Sequence, residues 1–380
     1  MPAESKKFVI IAGEASGDQH AADLVKAIKH LNPSCSFSGL GGAHMKKAGV
    51  DIHEDLTRLA IVGFTEVLKH YRLLKSIFNQ TLDKIQAIQP DAVILVDYPG
   101  FNLRLAKELK KKNIKVFFYI SPQVWAWKEN RIQHIKKYVD ELFVFFPFEK
   151  DLYAKHGMNV HFIGHPLVDQ VVTRTSKTQF LKTAGLYDYK LTVGLLPGSR
   201  EREIDTLLPQ MIQASNILYK KFPSMQFLIM KASTIARAQI DDYTQAANFP
   251  VKVIEENVYE GIHACDLCIV TSGTATLETA ILQKPMVVIY KTSFLTYLLA
   301  KLFIKIPYIG LVNVVAGGKI VPECVQNQAS PENIAKTLEG IFTDEIKIAE
   351  IKSNLHKVKE LLGEGGASRR AAELMLELLN

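Results

Sequence analysis

One pattern recurs along most of this chain: a short apolar run, a turn of small residues, then a helix-like stretch with apolar residues at helical spacing. Phe8–Ala12 reads as a strand, Gly13–Asp18 as a turn, and His20–Leu31 as a helix ended by Asn32-Pro33. Strand-like runs follow at Ser36–Leu40, Ala92–Val96, Lys115–Ile120, Glu141–Phe146 and Val160–Ile163, with a helix over Asn102–Lys112. After a change of character near 165–190 the pattern restarts. Strands are predicted at Leu191–Leu196, Gln226–Met230, Val251–Ile254, Leu267–Val270 and Met286–Tyr290, with a helix over Glu203–Phe222. Alternation of this kind predicts parallel sheets wound with helices on both faces. The expected fold is therefore α/β, two doubly wound Rossmann-like domains facing a cleft. The first spans residues 1–170 and the second 171–345. A helical tail, 346–380, packs back on the first. The two halves share architecture but no sequence repeat.

Composition narrows the function classes. A chain of 380 residues, 48% hydrophobic and 22% charged, can bury two cores and is not disordered. Cys35, Cys265, Cys268 and Cys324 are too scattered for a disulfide framework; Cys265-x-x-Cys268 lacks a second ligand pair and reads as core, so no metal is expected. Met1–Lys7 is polar and Phe8–Ala12 is too short for a signal core, so no secretory signal is expected. No stretch reaches the roughly 20 apolar residues of a membrane span. Net charge is +7, and residues 1–170 carry 23 Lys/Arg against 18 Asp/Glu, a net of +5. The first half is thus the one suited to an anionic surface. Nucleic acid is not expected as a partner, since no basic run interleaved with aromatics and no nucleic-acid motif is present.

In doubly wound sheets ligands sit beyond the carboxyl ends of strands, so the residues that follow each strand carry the argument. After Leu267–Val270 comes Thr271-Ser-Gly-Thr-Ala-Thr-Leu-Glu278. Ser272, Gly273 and Thr274 form a tight strand-to-helix turn whose free N–H groups suit phosphate. Glu278, one turn on, is placed to accept hydrogen bonds from two sugar hydroxyls. The alternative is that Ser/Thr cap the helix and Glu278 is a solvated first-turn acid. After Leu191–Leu196 comes Pro197-Gly198-Ser199-Arg200, where Gly198 permits close approach and Arg200 offers a planar fork for phosphate; the alternative is a surface arginine. Together these turns read as a nucleotide-diphosphate site. Neither a Gly-x-Gly-x-x-Gly fingerprint nor a P-loop is present.

In the first domain Asp97 stands just past Ala92–Val96, a fair position for a general base; it could equally cap the helix near Asn102. His20 is a rival base, Glu14 and Asp18 lie beside it, and Glu66 is a weaker candidate. Nine of eleven histidines precede residue 166, so most are structural. Trp125 and Trp127 either stack on a sugar ring or pack in the core. Glu66–Phe78 and Phe294–Ile306 read as basic-rimmed amphipathic stretches. They suit either a lipid interface, with Val67, Leu74 and Phe78 inserted, or a protein core.

Taken in order, Gly13-Glu-Ala-Ser-Gly-Asp18, Asp97-Tyr-Pro-Gly-Phe-Asn102, Ser121-Pro-Gln-Val-Trp-Ala-Trp127, Phe146-Pro-Phe-Glu-Lys150, Phe162-Ile-Gly-His-Pro166, Leu196-Pro-Gly-Ser-Arg200, Ser272-Gly-Thr-Ala-Thr-Leu-Glu278 and Asn313–Glu323 resemble the lipid-A-disaccharide synthases. The match runs from about residue 8 to about 330. The resemblance implies a GT-B fold and an inverting, metal- and cofactor-independent transfer. The donor would be UDP-2,3-diacylglucosamine, the acceptor 2,3-diacylglucosamine 1-phosphate (lipid X), and the products a β-1,6-linked disaccharide and UDP. It implies work at the cytoplasmic face of a Gram-negative inner membrane, with the lipid surface as partner, and it admits a homodimer. It adds Asn313 and Glu323 to the substrate-binding set of Gly198, Ser199, Arg200, Ser272, Gly273, Thr274 and Glu278, beside Asp97, His20 and Glu14 as catalytic candidates. Many members carry a second acid where this chain has Gly100, so no role can rest on it here. The rival readings are another GT-B enzyme, such as a UDP-N-acetylglucosamine 2-epimerase, and a non-enzymatic nucleotide-sugar sensor.

Overall fold

A computed structural model gives the fold and describes residues 4–59, 71–127, 129–245, 247–293, 297 and 306–380. The chain divides into two compact units, Met1–Pro166 with Glu364–Asn380, and Leu167–Gly363.

In the first unit β1 (Lys7–Ala12), β2 (Ser36–Leu40), β3 (Asp51–Glu54), β4 (Ala92–Val96), β5 (Val116–Tyr119), β6 (Glu141–Val144) and β7 (His161–Phe162) form one sheet, ordered β3-β2-β1-β4-β5-β6-β7. Every pairing is parallel. All five residues of β4 are fully buried, as continuous apolar strands must be when helices cover both faces. The second unit builds β8 (Leu191–Leu196), β9 (Met225–Met230), β10 (Val251–Ile254), β11 (Leu267–Thr271), β12 (Met286–Tyr290) and β13 (Glu323–Val325) into a parallel sheet ordered β10-β9-β8-β11-β12-β13. The direction of winding reverses between β1 and β4 in one sheet and between β8 and β11 in the other. Such reversals open a crevice at the carboxyl ends.

Two helices begin three or more residues earlier than the sequence reading has them. The first is Ala15–Leu31, so most of Gly13–Asp18 is helix rather than turn. The next runs Pro99–Lys111, with Pro99 in the first turn, where its missing N–H costs nothing. The tail is divided between the units. Glu345–Leu361 packs on helices of the second, and Ala367–Glu377 packs on Ala15–Leu31 in the first. Arg370 fastens that last helix: its guanidinium donates to Ile163 O at 2.9 and 2.7 Å, to Gly365 O at 2.6 Å and to Glu364 O at 2.7 Å. Arg370→Ala is expected to lower unfolding free energy by about 2 kcal/mol, since three carbonyls lose a charged donor. Urea denaturation checks this, and an unchanged midpoint would show the helix held by packing alone.

All four cysteines are buried and free. Among the described residues no helix is long and apolar enough to cross a membrane. The stretches read as lipid-facing fall largely outside the described residues, which omit 60–70, 294–296 and 298–305. Val67 and Glu66 lie among these. Where the first stretch is described, as the helix Tyr71–Ile88, Ile77 and Ile85 are core residues. Phe78 packs against that core, edge-on to Phe101 at 5.4 Å. Phe78 therefore faces protein, not lipid; Leu74 is half-buried, and Leu73 is exposed.

Candidate active site

In the first unit the pairing of β1 with β4 sets Ala12 opposite Val96, so the chain segments leaving both strands start side by side. Asp97 and Tyr98 both adopt left-handed backbone, φ 43° and 47°. Two successive non-glycine residues in that region are costly and persist only when their surroundings over-determine them. Here they do. Asp97 N–H donates to Tyr119 O at 3.1 Å. The fully buried Asn102 donates Nδ2 to Asp97 O at 2.8 Å and to Val96 O at 3.2 Å. Gly13 leaves the room that Tyr98 fills: a Cβ there would lie 2.3 Å from the Tyr98 ring. Tyr98, not Asp97, occupies the N-cap of Pro99–Lys111, and no side chain caps that helix. The capping reading of Asp97 is thereby corrected.

The Asp97 carboxyl is raised to a pKa of about 6, first by burial and then by the charge of Glu14, against a smaller opposing effect of the Tyr98 N–H. Glu14 is exposed and precedes the first helix without capping it. Asp18 is committed to structure. Its carboxylate accepts from Gly42 N–H at 2.7 Å, His44 N–H at 2.9 Å and Met45 N–H at 3.1 Å. His20 is half-buried, edge-on to Phe145 at 5.5 Å, and its Nδ1 has no partner among the described residues. Burial lowers its pKa, so the ring is neutral near pH 7. His165, against Phe145 and Phe146, is pushed down to about 3 by burial and by His20.

The two tryptophans split their roles. Trp125 is half-buried and edge-on to Phe148 at 5.5 Å, while Trp127 is exposed, with the Arg131 guanidinium 5.0 Å from its ring centre. Beneath them lies an acid that sequence reasoning overlooked. Glu149 is 2% exposed, accepts from Phe146 N–H at 3.1 Å, and is raised to about 8 by burial. Burial thus favours its uncharged form, against hydrogen bonds that favour the charged one. Its signals in the sequence are its place in the motif Phe146-Pro-Phe-Glu-Lys150 and its capping-box spacing, three residues after Phe146.

In the second unit β8 pairs with β11, with Leu196 opposite Val270, and the two turns after them line one groove. Its volume is about 440 Å³, in the range of small-molecule sites. Gly198, Ser199, Arg200, Ser272, Gly273, Thr274 and Glu278 all line it, joined by Glu203, Tyr259 and Thr271. The turns are not equivalent. At the first, Glu203 accepts from Ser199 N–H at 3.0 Å and Arg200 N–H at 3.3 Å. A first-turn carboxylate thus already satisfies the N–H groups of this turn, so what it offers a phosphate is the Arg200 side chain. The Arg200 side chain is 78% exposed and, among the described residues, its guanidinium touches only Glu203, at 3.4 Å, so its fork is open to a ligand. At the second turn the N–H groups of Gly273, Thr274 and Ala275 have no protein acceptor among the described residues.

Glu278 is half-buried rather than solvated, and burial raises its pKa. Thr271 is 3% exposed, and its hydroxyl has no partner among the described residues. Ser272 Oγ donates to Ile309 O at 2.8 Å. Asn313 and Glu323 stand behind that contact and not in the groove. Glu323 accepts from Ile309 N–H (3.0 Å), Gly310 N–H (2.9 Å) and Asn313 Nδ2 (2.8 Å), and Asn313 Oδ1 accepts from Ile320 and Val321 N–H. In this structure their side chains hold the loop that anchors Ser272.

A family model described as "Lipid-A-disaccharide synthetase" matches residues 8–378. The chain is 43% identical over 376 residues to the lipid-A-disaccharide synthase of Syntrophus aciditrophicus, covering 99% of this chain and 98% of that one. It is 41% identical over 377 residues to that of Geobacter metallireducens, with the same coverage. A solved UDP-GlcNAc 2-epimerase from Neisseria meningitidis, bound to UDP-GlcNAc, superposes with a TM-score of 0.61 at 15% identity, covering 98% of this chain and 100% of that one. At that identity the likeness concerns the fold alone.

Proposed function

We propose that this chain, which belongs to the lipid-A-disaccharide synthetase family, transfers 2,3-diacylglucosamine from UDP to 2,3-diacylglucosamine 1-phosphate. That it is a GT-B glycosyltransferase of lipid A biosynthesis follows from the family. The substrates, the stereochemistry and the residue roles are our reading. The observation that carries it is the second unit's groove. One turn offers unoccupied N–H groups, a free arginine fork stands on the other, and a half-buried acid lies one turn into the helix. These are the complements of a diphosphate and of a ribose.

The reaction inverts. The acceptor's 6-hydroxyl attacks C1 of the donor sugar as the bond from C1 to the phosphate oxygen breaks. The proton passes to Asp97, and the electron pair leaves with UDP. A carboxylate with a pKa of about 6 is ionised at pH 7.5 yet holds a proton better than an ordinary one, which suits a general base. Arg200 and the N–H groups at Gly273–Ala275 stabilise departing UDP. His20, neutral and with an unsatisfied nitrogen, orients an acceptor hydroxyl. Because both substrates are acylated, the enzyme works at a membrane surface, the cytoplasmic face of the inner membrane, and the basic first half meets anionic lipid. A dimer is compatible with this reading but not required by it.

The test is UDP release measured with acylated and unacylated UDP-glucosamine derivatives, with and without lipid X. Release is expected only with acylated donor plus acceptor. Turnover of UDP-N-acetylglucosamine without acceptor would favour the epimerase reading, and UDP binding without any turnover the sensor. Arg200→Lys is expected to weaken UDP about tenfold and UMP little, because lysine keeps the charge but loses the fork that meets the second phosphate. Calorimetry with both ligands checks this, and equal losses would move Arg200 away from the diphosphate.

A further inference from the structure

We propose that Tyr259 is a positioning residue for nucleotide recognition: its hydroxyl donates to Glu278 and orients that carboxyl to receive the vicinal hydroxyls of a ribose. The inference rests on the reading of the groove as a UDP site and adds a residue and a specificity to it.

Tyr259 stands in the first turn of Val258–Ala264, a helix entered through the left-handed Asn257 after β10. It is half-buried and lines the same groove as Glu278. Its hydroxyl donates to Glu278 Oε1 across 3.4 Å, long enough to be an adjustable contact rather than a rigid one.

The chemistry follows from counting lone pairs. An ionised carboxylate offers about four acceptor positions, and protonation turns one oxygen into a donor. Two ribose hydroxyls and one phenol place three donors on Glu278; the ionised form accepts all three as charge-assisted bonds, whereas the neutral acid keeps only weaker acceptors and adds an O–H that needs an acceptor of its own. Burial opposes ionisation at Glu278, and Tyr259 is the neighbour that favours it. The groove's other charged side chains are Arg200 and Glu203. Tyr259 itself stays protonated, since burial and then Glu278 push its own pKa up. It remains a donor throughout the working range.

Glu278 binds ribose when ionised, so affinity falls as pH drops through its pKa. Removing the Tyr259 donor raises that pKa further, and the fall begins at higher pH. Calorimetry of UDP and 2′-deoxy-UDP with wild type, Tyr259→Phe, Glu278→Gln and the double variant, from pH 5 to pH 8, tests this; phenylalanine keeps the ring that walls the groove. Tyr259→Phe is expected to weaken UDP about fivefold at neutral pH, as for one lost hydrogen bond. It should also move the acid limb upward and shrink the preference for UDP over the deoxy ligand. In the Glu278→Gln background the shift of the limb should vanish. An unmoved limb in Tyr259→Phe, with wild-type UDP binding intact, overturns the role of Tyr259 alone. A wild type that binds neither nucleotide overturns the UDP reading beneath it.

Discussion

Asp97→Asn is expected to cut turnover by about 10²–10⁴, the usual contribution of a general base, while UDP affinity stays within twofold. The substitution isolates chemistry from structure. Asparagine tolerates left-handed backbone about as well as aspartate, so φ 43° at this position survives. The bonds that hold the turn, from Asn102 to the Asp97 carbonyl and from Asp97 N–H to Tyr119, use backbone atoms and survive as well. What disappears is the carboxylate. A variant retaining activity within tenfold would pass the role to His20 or Glu14.

The same carboxyl gives the reaction a pH signature. Its pKa of about 6 means that kcat/KM falls as pH drops through that value and levels off above it. Burial makes the larger part of the shift and Glu14 the next. Glu14→Gln removes a like charge and so lowers the Asp97 pKa. Its acid limb is expected at lower pH than wild type, with activity retained at pH 7.5. Loss of all activity in Glu14→Gln would instead make Glu14 a participant.

The strands that carry both sites could be read from the sequence, because parallel strands covered on both faces are unbroken apolar runs. β3 and β13 could not: they lie at sheet edges, and their Asp51-Ile-His-Glu54 and Glu323-Cys-Val325 segments look like loop. The helix beginning at Ala15 was hidden by its glycine, and the one at Pro99 by a proline that reads as a breaker yet is allowed in a first turn. That Asp97 and Glu14 act on each other depends on β1 pairing with β4 across the intervening β2 and β3, which no local pattern encodes. Asn313 and Glu323 illustrate a different limit. A polar residue in a family motif is equally expected whether it touches a ligand or braces the loop that does, and only its hydrogen-bond partners separate the two. Glu203 was visible as a first-turn acid, but not as the acceptor that consumes the N–H groups beside Gly198.

That role of Glu203 makes Gly198→Ala the substitution with the largest expected effect on the nucleotide site. Gly198 has φ +114°, a backbone state that side chains rarely adopt. A Cβ there would lie 2.4 Å from Glu203 Oε2 and 2.8 Å from Glu203 Cβ. The clash therefore falls on the stem of the side chain as well as its tip, and rotation of the carboxylate cannot relieve it. Backbone strain and overpacking each cost about 1–3 kcal/mol, so a total of about 2–4 kcal/mol is expected. If the turn moves to escape, Glu203 releases Ser199 and Arg200 N–H and the arginine fork loses its base. UDP affinity should then fall by more than about 30-fold, the equivalent of 2 kcal/mol. If the turn stays, the same energy appears as lost stability. Calorimetry and thermal melting on one sample distinguish the two. For stability, Gly273→Ala is the matched control: its φ is +150°, but a Cβ there meets nothing within 4 Å, so it bears the strain without the clash and should melt closer to wild type. A Gly198→Ala variant that melts and binds UDP as wild type does would mean that Glu203 does not hold this turn in solution, and the groove's first wall would need another explanation.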